Sequence, residues 1–167
     1  MQMADERIIQ VDRATVWAAL LSPEVLKECV PGAQEVTGSV DEGFEATVVQ
    51  KVGPVKATFK GTVTLSDLVE NESLTLTGEG KGGAAGFAKG GAKVTLSEVE
   101  GGTRLTYEVE AKVGGKIAQL GSRLIDSFSK KMADQFFENF QTAVEPAAEE
   151  AQAEGETKKG WFAKLRG

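Results

Sequence analysis

One segment of the sequence, GKIAQLGSRLIDSFSKKMADQFFENFQTAV at Gly115–Val144, has the pattern of a long amphipathic helix. Apolar residues recur along it in steps of three and four, which places them on one stripe of a helix. Gly114 and Gly115 allow the chain to turn into this helix, and Pro146 is expected to end it because proline has no N–H to donate. A helix of roughly 28 residues is about 42 Å long. We therefore expect a large concave apolar partner for the stripe, whose members are Ile117, Leu120, Leu124, Ile125, Phe128, Met132, Phe136, Phe137, Phe140 and Val144.

The chain before this segment predicts that partner, a strongly curved antiparallel sheet. The clearest strand is Val55–Leu68, where apolar and small residues alternate with lysine, threonine and serine. Such alternation is typical of a sheet with one dry and one wet face. Two short helices, beginning near Asp12 and Ser22, are predicted after the first strand. The predicted fold class is α+β, with seven strands that also include Gln2–Val11, Gln34–Val40, Phe44–Val52, Ser73–Thr77, Lys93–Val99 and Thr103–Val113.

Composition limits the possible functions. The 167 residues suggest one domain with a tail, and the net charge of -6 argues against nucleic acid as the main partner. Neither a membrane-spanning apolar run nor a secretory signal is evident in the sequence. Cys29 is the one cysteine, so no internal disulfide can form, which fits a reducing cytoplasm. We interpret Cys29 as a small buried apolar residue.

The sequence contains no histidine. A Ser-His-Asp or Cys-His nucleophile system therefore cannot be built within this chain, and a zinc site would be unusual. Acid–base chemistry is left to Tyr107 or to an aspartate, glutamate or lysine with a perturbed pKa. We predict no catalytic residue and no metal site, and we do not expect an enzyme.

Glycines crowd the stretch Gly78–Gly91, which contains Phe87. Its Gly-x-Gly-x-x-Gly spacing matches a dinucleotide fingerprint only formally, because no helical pattern follows the third glycine. One interpretation is a strand–loop–strand bend in which glycines permit strong coiling of the sheet. The other is a close approach of the backbone to a ligand, or a rim that opens. The two are compatible.

Three regions are predicted from the change in composition after Val144. Residues 1–144 form the folded domain, residues 145–157 an acidic flexible linker, and residues 158–167 a basic, aromatic tail. Basic side chains surround a Trp-Phe pair in the tail, as in segments that lie at a membrane surface. A short peptide ligand for a protein groove is the other interpretation. The predicted membrane contacts are Lys158, Lys159, Trp161, Phe162, Lys164, Leu165 and Arg166.

Several segments carry a resemblance to known proteins. Thr15–Leu20, Ser22–Leu26 and Val30–Gly32 resemble the START/Bet v 1-like (SRPBCC) superfamily. More narrowly, Lys51–Gly61, Gly78–Ala88 and Gly114–Arg123 are similar to the G subunit of carbon monoxide dehydrogenase, the CoxG family. The resemblance extends over about residues 1–144.

This resemblance implies a helix-grip fold, in which the curved sheet holds the C-terminal helix with a hydrophobic cavity between them. It also implies an accessory protein that brings molybdenum CO dehydrogenase to the inner face of the cytoplasmic membrane. The cavity would suit a lipophilic small molecule such as a quinone, either menaquinone or ubiquinone. We expect it to be lined by Phe59, Leu76, Phe87, Tyr107, Leu120, Leu124, Phe128 and Met132.

Two other functions stay open at this point. A cyclase or hydratase of the same superfamily would need a charged residue inside the cavity, and the predicted dry faces contain none. A pure protein-interaction module would instead have a filled core, with the glycine-rich rim and the tail as docking surfaces.

Overall fold

The computed structural model of the protein describes residues 1–145, in which one antiparallel sheet of seven strands faces a long C-terminal helix. The predicted α+β, helix-grip class is confirmed. The strands are β1 (Gln2–Ile9), β2 (Ala33–Ser39), β3 (Gly43–Val52), β4 (Val55–Val69), β5 (Ser73–Lys81), β6 (Phe87–Val99) and β7 (Gly102–Gly114). The α-helices are α1 (Arg13–Leu20), α2 (Pro23–Cys29) and α3 (Ser122–Val144).

Strands β2 to β7 pair in sequence order, and β1 pairs with β7, so the sheet order is β1-β7-β6-β5-β4-β3-β2. Short hairpin connections explain the sequential pairing of β2 to β7. The two short helices carry the chain from β1 at one edge to β2 at the other. Every neighbouring pair is antiparallel.

The predicted starts of the two short helices are confirmed by their caps. The Asp12 carboxylate accepts hydrogen bonds from the backbone N–H and the hydroxyl of Thr15. The Ser22 hydroxyl accepts a hydrogen bond from the backbone N–H of Val25. Pro23 occupies the first turn, where a backbone N–H would have no partner within the helix, so the N–H that proline lacks is not missed.

The predicted start of the long helix at Gly115 is wrong. Residues Lys116–Leu120 form a separate 3₁₀ turn, and α3 begins only at Ser122. Gly121, between them, has φ of +94°, a conformation that no helical residue adopts. The apolar spacing continues through this break, which is why periodicity alone did not indicate it.

The glycine-rich stretch is mostly strand. Gly78 and Gly80 lie in β5, Gly90 and Gly91 lie in β6, and a 3₁₀ turn at Gly83–Ala85 joins the two strands. The expectation that no α-helix follows Gly83 is confirmed, so the stretch lacks the helix N-terminus that a dinucleotide fingerprint requires.

The tightest packing lies where α1, α2 and the second half of α3 meet one end of the sheet. Val16, Cys29 and Phe140 are fully buried there, so the interpretation of Cys29 as a buried residue is confirmed. Thr103 is also fully buried, and its hydroxyl donates to the carbonyl of Val11 at 2.8 Å. Among residues 1–145, no helix is both long and apolar enough to cross a membrane.

Candidate functional site

A cavity of about 380 Å³ lies between the inner face of the sheet and helix α3. Helices α1 and α2 contribute Leu20 and Leu26, and the residues that follow them contribute Leu21 and Val30. Helix α3 covers the cavity with Ala133, Phe136 and Phe137. The sheet contributes inward-facing residues from all seven strands: Met3, Val36, Phe44, Ala46, Val63, Leu65, Leu74, Leu76, Ala92, Val94, Leu105, Tyr107 and Val109. The lining is almost entirely aliphatic and aromatic.

Tyr107 brings the one hydroxyl among these lining side chains. It is 5% exposed and stacks on Phe137 of α3. Burial raises the pKa of Tyr107 above its usual value, and the charge of nearby Arg7 opposes that shift. The hydroxyl therefore keeps its proton at neutral pH.

A cluster of charged side chains lies beside the cavity, between the edge strand β1 and α3. The guanidinium of Arg7 forms ion pairs with Asp134 and, at 3.1 Å, with Asp5. Lys130 lies 3.1 Å from Asp134, and its hydrogen bond is the main reason that the pKa of Asp134 is lowered. The Arg7 guanidinium also lies 5.4 Å from the centre of the Phe137 ring, within range of a cation–π contact.

This cluster corrects the expectation that the inner faces of the strands carry no charge. Asp5 and Arg7 alternate with Met3 and Ile9, so they belong to the inward side of β1. The physical reason is the position of β1 at the edge of the sheet, where a side chain can reach solvent around the helix. Asp5 remains 43% exposed, and neither Asp5 nor Arg7 lines the cavity.

Of the eight predicted lining residues, Leu76 and Tyr107 line the cavity. Phe59 faces inward but lies beyond the cavity, with its ring next to Gly82. Leu120 and Leu124 lie near Gly53, because the chain passes the β3–β4 turn where the 3₁₀ turn ends and α3 begins. Phe128 and Met132 are half-buried on α3 but precede Ala133, where its cavity lining starts. A ligand-binding role for these eight residues stays a prediction.

The placement of Phe87 in the lining is wrong. Its register partners, Lys81 and Gly114, lie on the outer face of the sheet, and Phe87 is 38% exposed there. In β6, Phe87 alternates in step with the exposed Lys89 and Lys93 and out of step with the inward Val94 and Leu96, so the period of two places its ring on the outer face.

Sequence reasoning missed much of the lining. Phe44, Val63 and Leu65 follow the same alternation that predicted the strands, so their inward orientation was foreseeable. The contribution of α1 and α2 was not, because it depends on how these helices close one end of the sheet. The predicted contacts of the tail, residues 158–167, and all of the linker after Glu145 lie outside the described residues.

Comparison with known proteins agrees with this geometry. The family model for the carbon monoxide dehydrogenase G subunit (CoxG) matches residues 6–145. The chain belongs to the CoxG family. CoxG is an accessory subunit family, so this membership supports an accessory role. No curated protein is significantly similar to the chain.

Solved structures share the fold at low sequence identity. A conserved protein from Geobacillus kaustophilus is 23% identical, with a TM-score of 0.82 over 88% of this chain and 97% of that one. A START superfamily protein from Mycobacterium smegmatis is 10% identical, with a TM-score of 0.65 over 87% of this chain and 98% of the other. A protein from Chromobacterium violaceum is 18% identical, with a TM-score of 0.64 over 87% and 97%. The START-like fold of the CoxG domain is therefore shared with proteins of low sequence identity.

Proposed function

We propose that the protein is a non-catalytic accessory protein of a molybdenum CO dehydrogenase. It binds a lipophilic ligand, a quinone such as menaquinone or ubiquinone, in the cavity between sheet and helix. It recruits the enzyme to the inner face of the cytoplasmic membrane and passes the quinone to it. Membership in the CoxG family supports the association with CO dehydrogenase.

The observation that carries the proposal is the chemistry of the cavity wall, which aliphatic and aromatic side chains form almost entirely. Transfer of apolar ligand surface from water into such a site is favourable by about 25 cal/mol per Å². A charged ligand would lose its hydration without gaining an ionic partner from the wall. We propose that Tyr107, which brings the one hydroxyl among the lining side chains, donates a hydrogen bond to a carbonyl oxygen of the ligand, since a quinone ring combines such oxygens with an apolar body.

The size of the cavity limits how much of a quinone it can hold. At about 380 Å³ it is near the lower end of the range for small-molecule sites, which is about 300–1,000 Å³. We propose that the ring and the first part of the isoprenoid chain occupy it, and that the rest of the chain extends outward.

The experiment is to purify the full chain from a quinone-producing host, extract it with organic solvent and identify the extracted mass. Ala133 of α3 lines the cavity, so Ala133→Phe places a ring in the ligand's space. Ala143 is an exposed residue of the same helix, and Ala143→Phe is the matched control. We expect extracts of the unmodified chain and of the control to contain a quinone, and extracts of Ala133→Phe to contain much less of it. Extracts without lipophilic mass, or equal quinone in both variants, would refute the carrier role.

Recruitment to the membrane is tested separately with the basic, aromatic tail. Deletion of residues 158–167 removes four cations, Trp161 and Phe162. We expect the deletion to lower the fraction of protein, and of added CO dehydrogenase, that sediments with anionic vesicles at physiological salt. An unchanged sedimented fraction would refute the tail as an anchor while leaving the carrier role intact.

A further inference from the structure

The two ends of the sheet have opposite charge. At one end lie the β3–β4 turn, the β5–β6 connection and the connection from β7 to α3, which we call together the basic end. The segments 51–60, 81–89 and 112–123 contain no aspartate or glutamate. They contain eight of the 19 lysines and arginines of the chain, all exposed: Lys51, Lys56, Lys60, Lys81, Lys89, Lys112, Lys116 and Arg123.

The hairpin turns at the opposite end are acidic. Residues 40–42, 67–72 and 98–101 contain no lysine or arginine. They contain Asp41, Glu42, Asp67, Glu70, Glu72, Glu98 and Glu100. The domain therefore has a strong charge asymmetry along the strand direction, although the whole chain is negative.

The strand register places lysines directly opposite one another at the basic end. The partners are Lys51 with Lys56, Lys60 with Lys81, and Lys89 with Lys112. Like charges directly opposite across strands are destabilising. Two acids adjoin the Lys89–Lys112 pair: Glu79 is the other register partner of Lys89, and Glu79 and Glu110 line one groove together with these two lysines. Within residues 1–145, none of the eight cations takes part in an ion pair, so their charges face solvent.

Exposed apolar side chains lie among these cations. Phe87 is 38% exposed and shares an outer-face row with Lys60 and Lys81. Leu124, at the start of α3, is 36% exposed. A shallow groove of about 590 Å³ beside Phe87 is lined by Ala118 and Ile125, by two lysines, Lys89 and Lys112, and by one acid, Asp126. Cations around exposed aromatic and aliphatic side chains are what a lipid headgroup region accommodates.

We propose that the basic end of the folded domain docks on an anionic phospholipid bilayer, with Phe87 and Leu124 entering the headgroup region. This contact is additional to the C-terminal tail and fixes the orientation of the domain, because the acidic end is repelled by the same surface. Only one consequence of this docking, the access of the ligand to the bilayer, rests on the proposed function. The half-buried Phe59, Leu120 and Phe128 lie between the cavity and the basic end, so a docked domain would present that route to the bilayer.

The first test uses the full chain and matched charge variants. Lys60, Lys81, Lys89 and Lys112 are changed together to Gln. The control changes four exposed cations outside the basic end to Gln: Lys27, Lys93, Arg104 and Lys131. Both variants have the same net charge. We expect the first to lose affinity for phosphatidylcholine–phosphatidylglycerol vesicles by about tenfold or more, with a weaker salt dependence, and the control to lose much less.

The second test reports on orientation. Because Cys29 is buried, a new surface cysteine can be labelled selectively with an environment-sensitive fluorophore. We expect a label at Phe87→Cys to increase and blue-shift its emission when anionic vesicles are added, and a label at Glu70→Cys, at the acidic end, to change little.

Three outcomes would overturn the proposal. They are equal vesicle affinity of the two charge variants, equal emission changes at the two labels, and a lysine variant that binds vesicles normally but loses affinity for CO dehydrogenase. The last would make the basic end a protein-docking surface. Quinone content is measured on the same preparations, so failure of the carrier role and failure of docking are distinguished.

Discussion

The ring of Tyr107 in β7 stacks on the ring of Phe137 in α3, with centroids 5.2 Å apart and an angle of 22° between the planes. Both rings line the cavity, so this pair joins sheet to helix at the cavity wall. Phe137 also meets Phe136 edge to face at 5.0 Å, and the Arg7 guanidinium lies 5.4 Å from its centre. Phe137 thus connects the core, the cavity and the charged cluster.

We predict that Phe137→Ala lowers the free energy of unfolding by about 3–5 kcal/mol, as expected for removal of a buried ring. Phe128→Ala, on the same helix, should cost clearly less because Phe128 is only half-buried. Urea unfolding followed by circular dichroism measures both. Equal losses for the two variants would contradict the assigned role of Phe137.

The glycine-rich connection provides a second matched pair. Gly86 has φ of +118°, and a Cβ at this position would lie 2.0 Å from the carbonyl oxygen of Gly114. Gly86→Ala should therefore lower the free energy of unfolding by at least about 1 kcal/mol. A Cβ on Gly80, in β5, would meet no atom within 4 Å. Gly80→Ala should leave stability unchanged or raise it by about 0.5–1 kcal/mol. Thermal unfolding compares the two, and a more stable Gly86→Ala would be evidence against this backbone geometry.

The Cys29 thiol should be inert in the folded protein. Cys29 is fully buried, and burial raises the pKa of its thiol to about 11. We expect a chromogenic disulfide reagent at pH 8 to react with Cys29 only after denaturant is added. Rapid reaction of the native protein would mean that this part of the core opens.

The raised pKa of Cys29 also makes stability depend on pH, because the folded state favours the protonated thiol. This contribution is complete below the unfolded-state pKa of about 8.5. It is lost as the pH rises from there to about 11. Cys29→Ala should remove this part of the loss of stability at alkaline pH. Free energies of unfolding at pH 7 and pH 10, measured for the variant and the unmodified chain, check this expectation.

The fold could be predicted from the sequence because apolar and polar residues alternate strictly in strands that have one buried face. In β4, residues from Val55 to Leu65 alternate between the partly buried and the exposed face as predicted. The caps Asp12 and Ser22 also have local partners, since each bonds a residue three positions further on. The break at Gly121 was missed because the apolar period of α3 continues across it.

The site was predicted less well than the fold. Leu76 and Tyr107 were placed in the lining because they belong to well-patterned strands, and both line the cavity. The position of the cavity along α3 depends on where the helix stands away from the sheet, which no local pattern encodes. The prediction therefore favoured Leu120 and Leu124, whereas the cavity lies further along, at Ala133 and Phe137.

The most direct test of the central claim is to locate the ligand within the protein. A quinone analogue that carries a photoreactive group on its ring would be bound to the full chain, irradiated, and its attachment sites mapped by mass spectrometry. We predict attachment at cavity-lining residues such as Leu76, Tyr107 and Phe137, and competition by unlabelled quinone. Attachment confined to the outer face of the sheet or to residues 146–167, or no competition, would contradict a ligand site between sheet and helix.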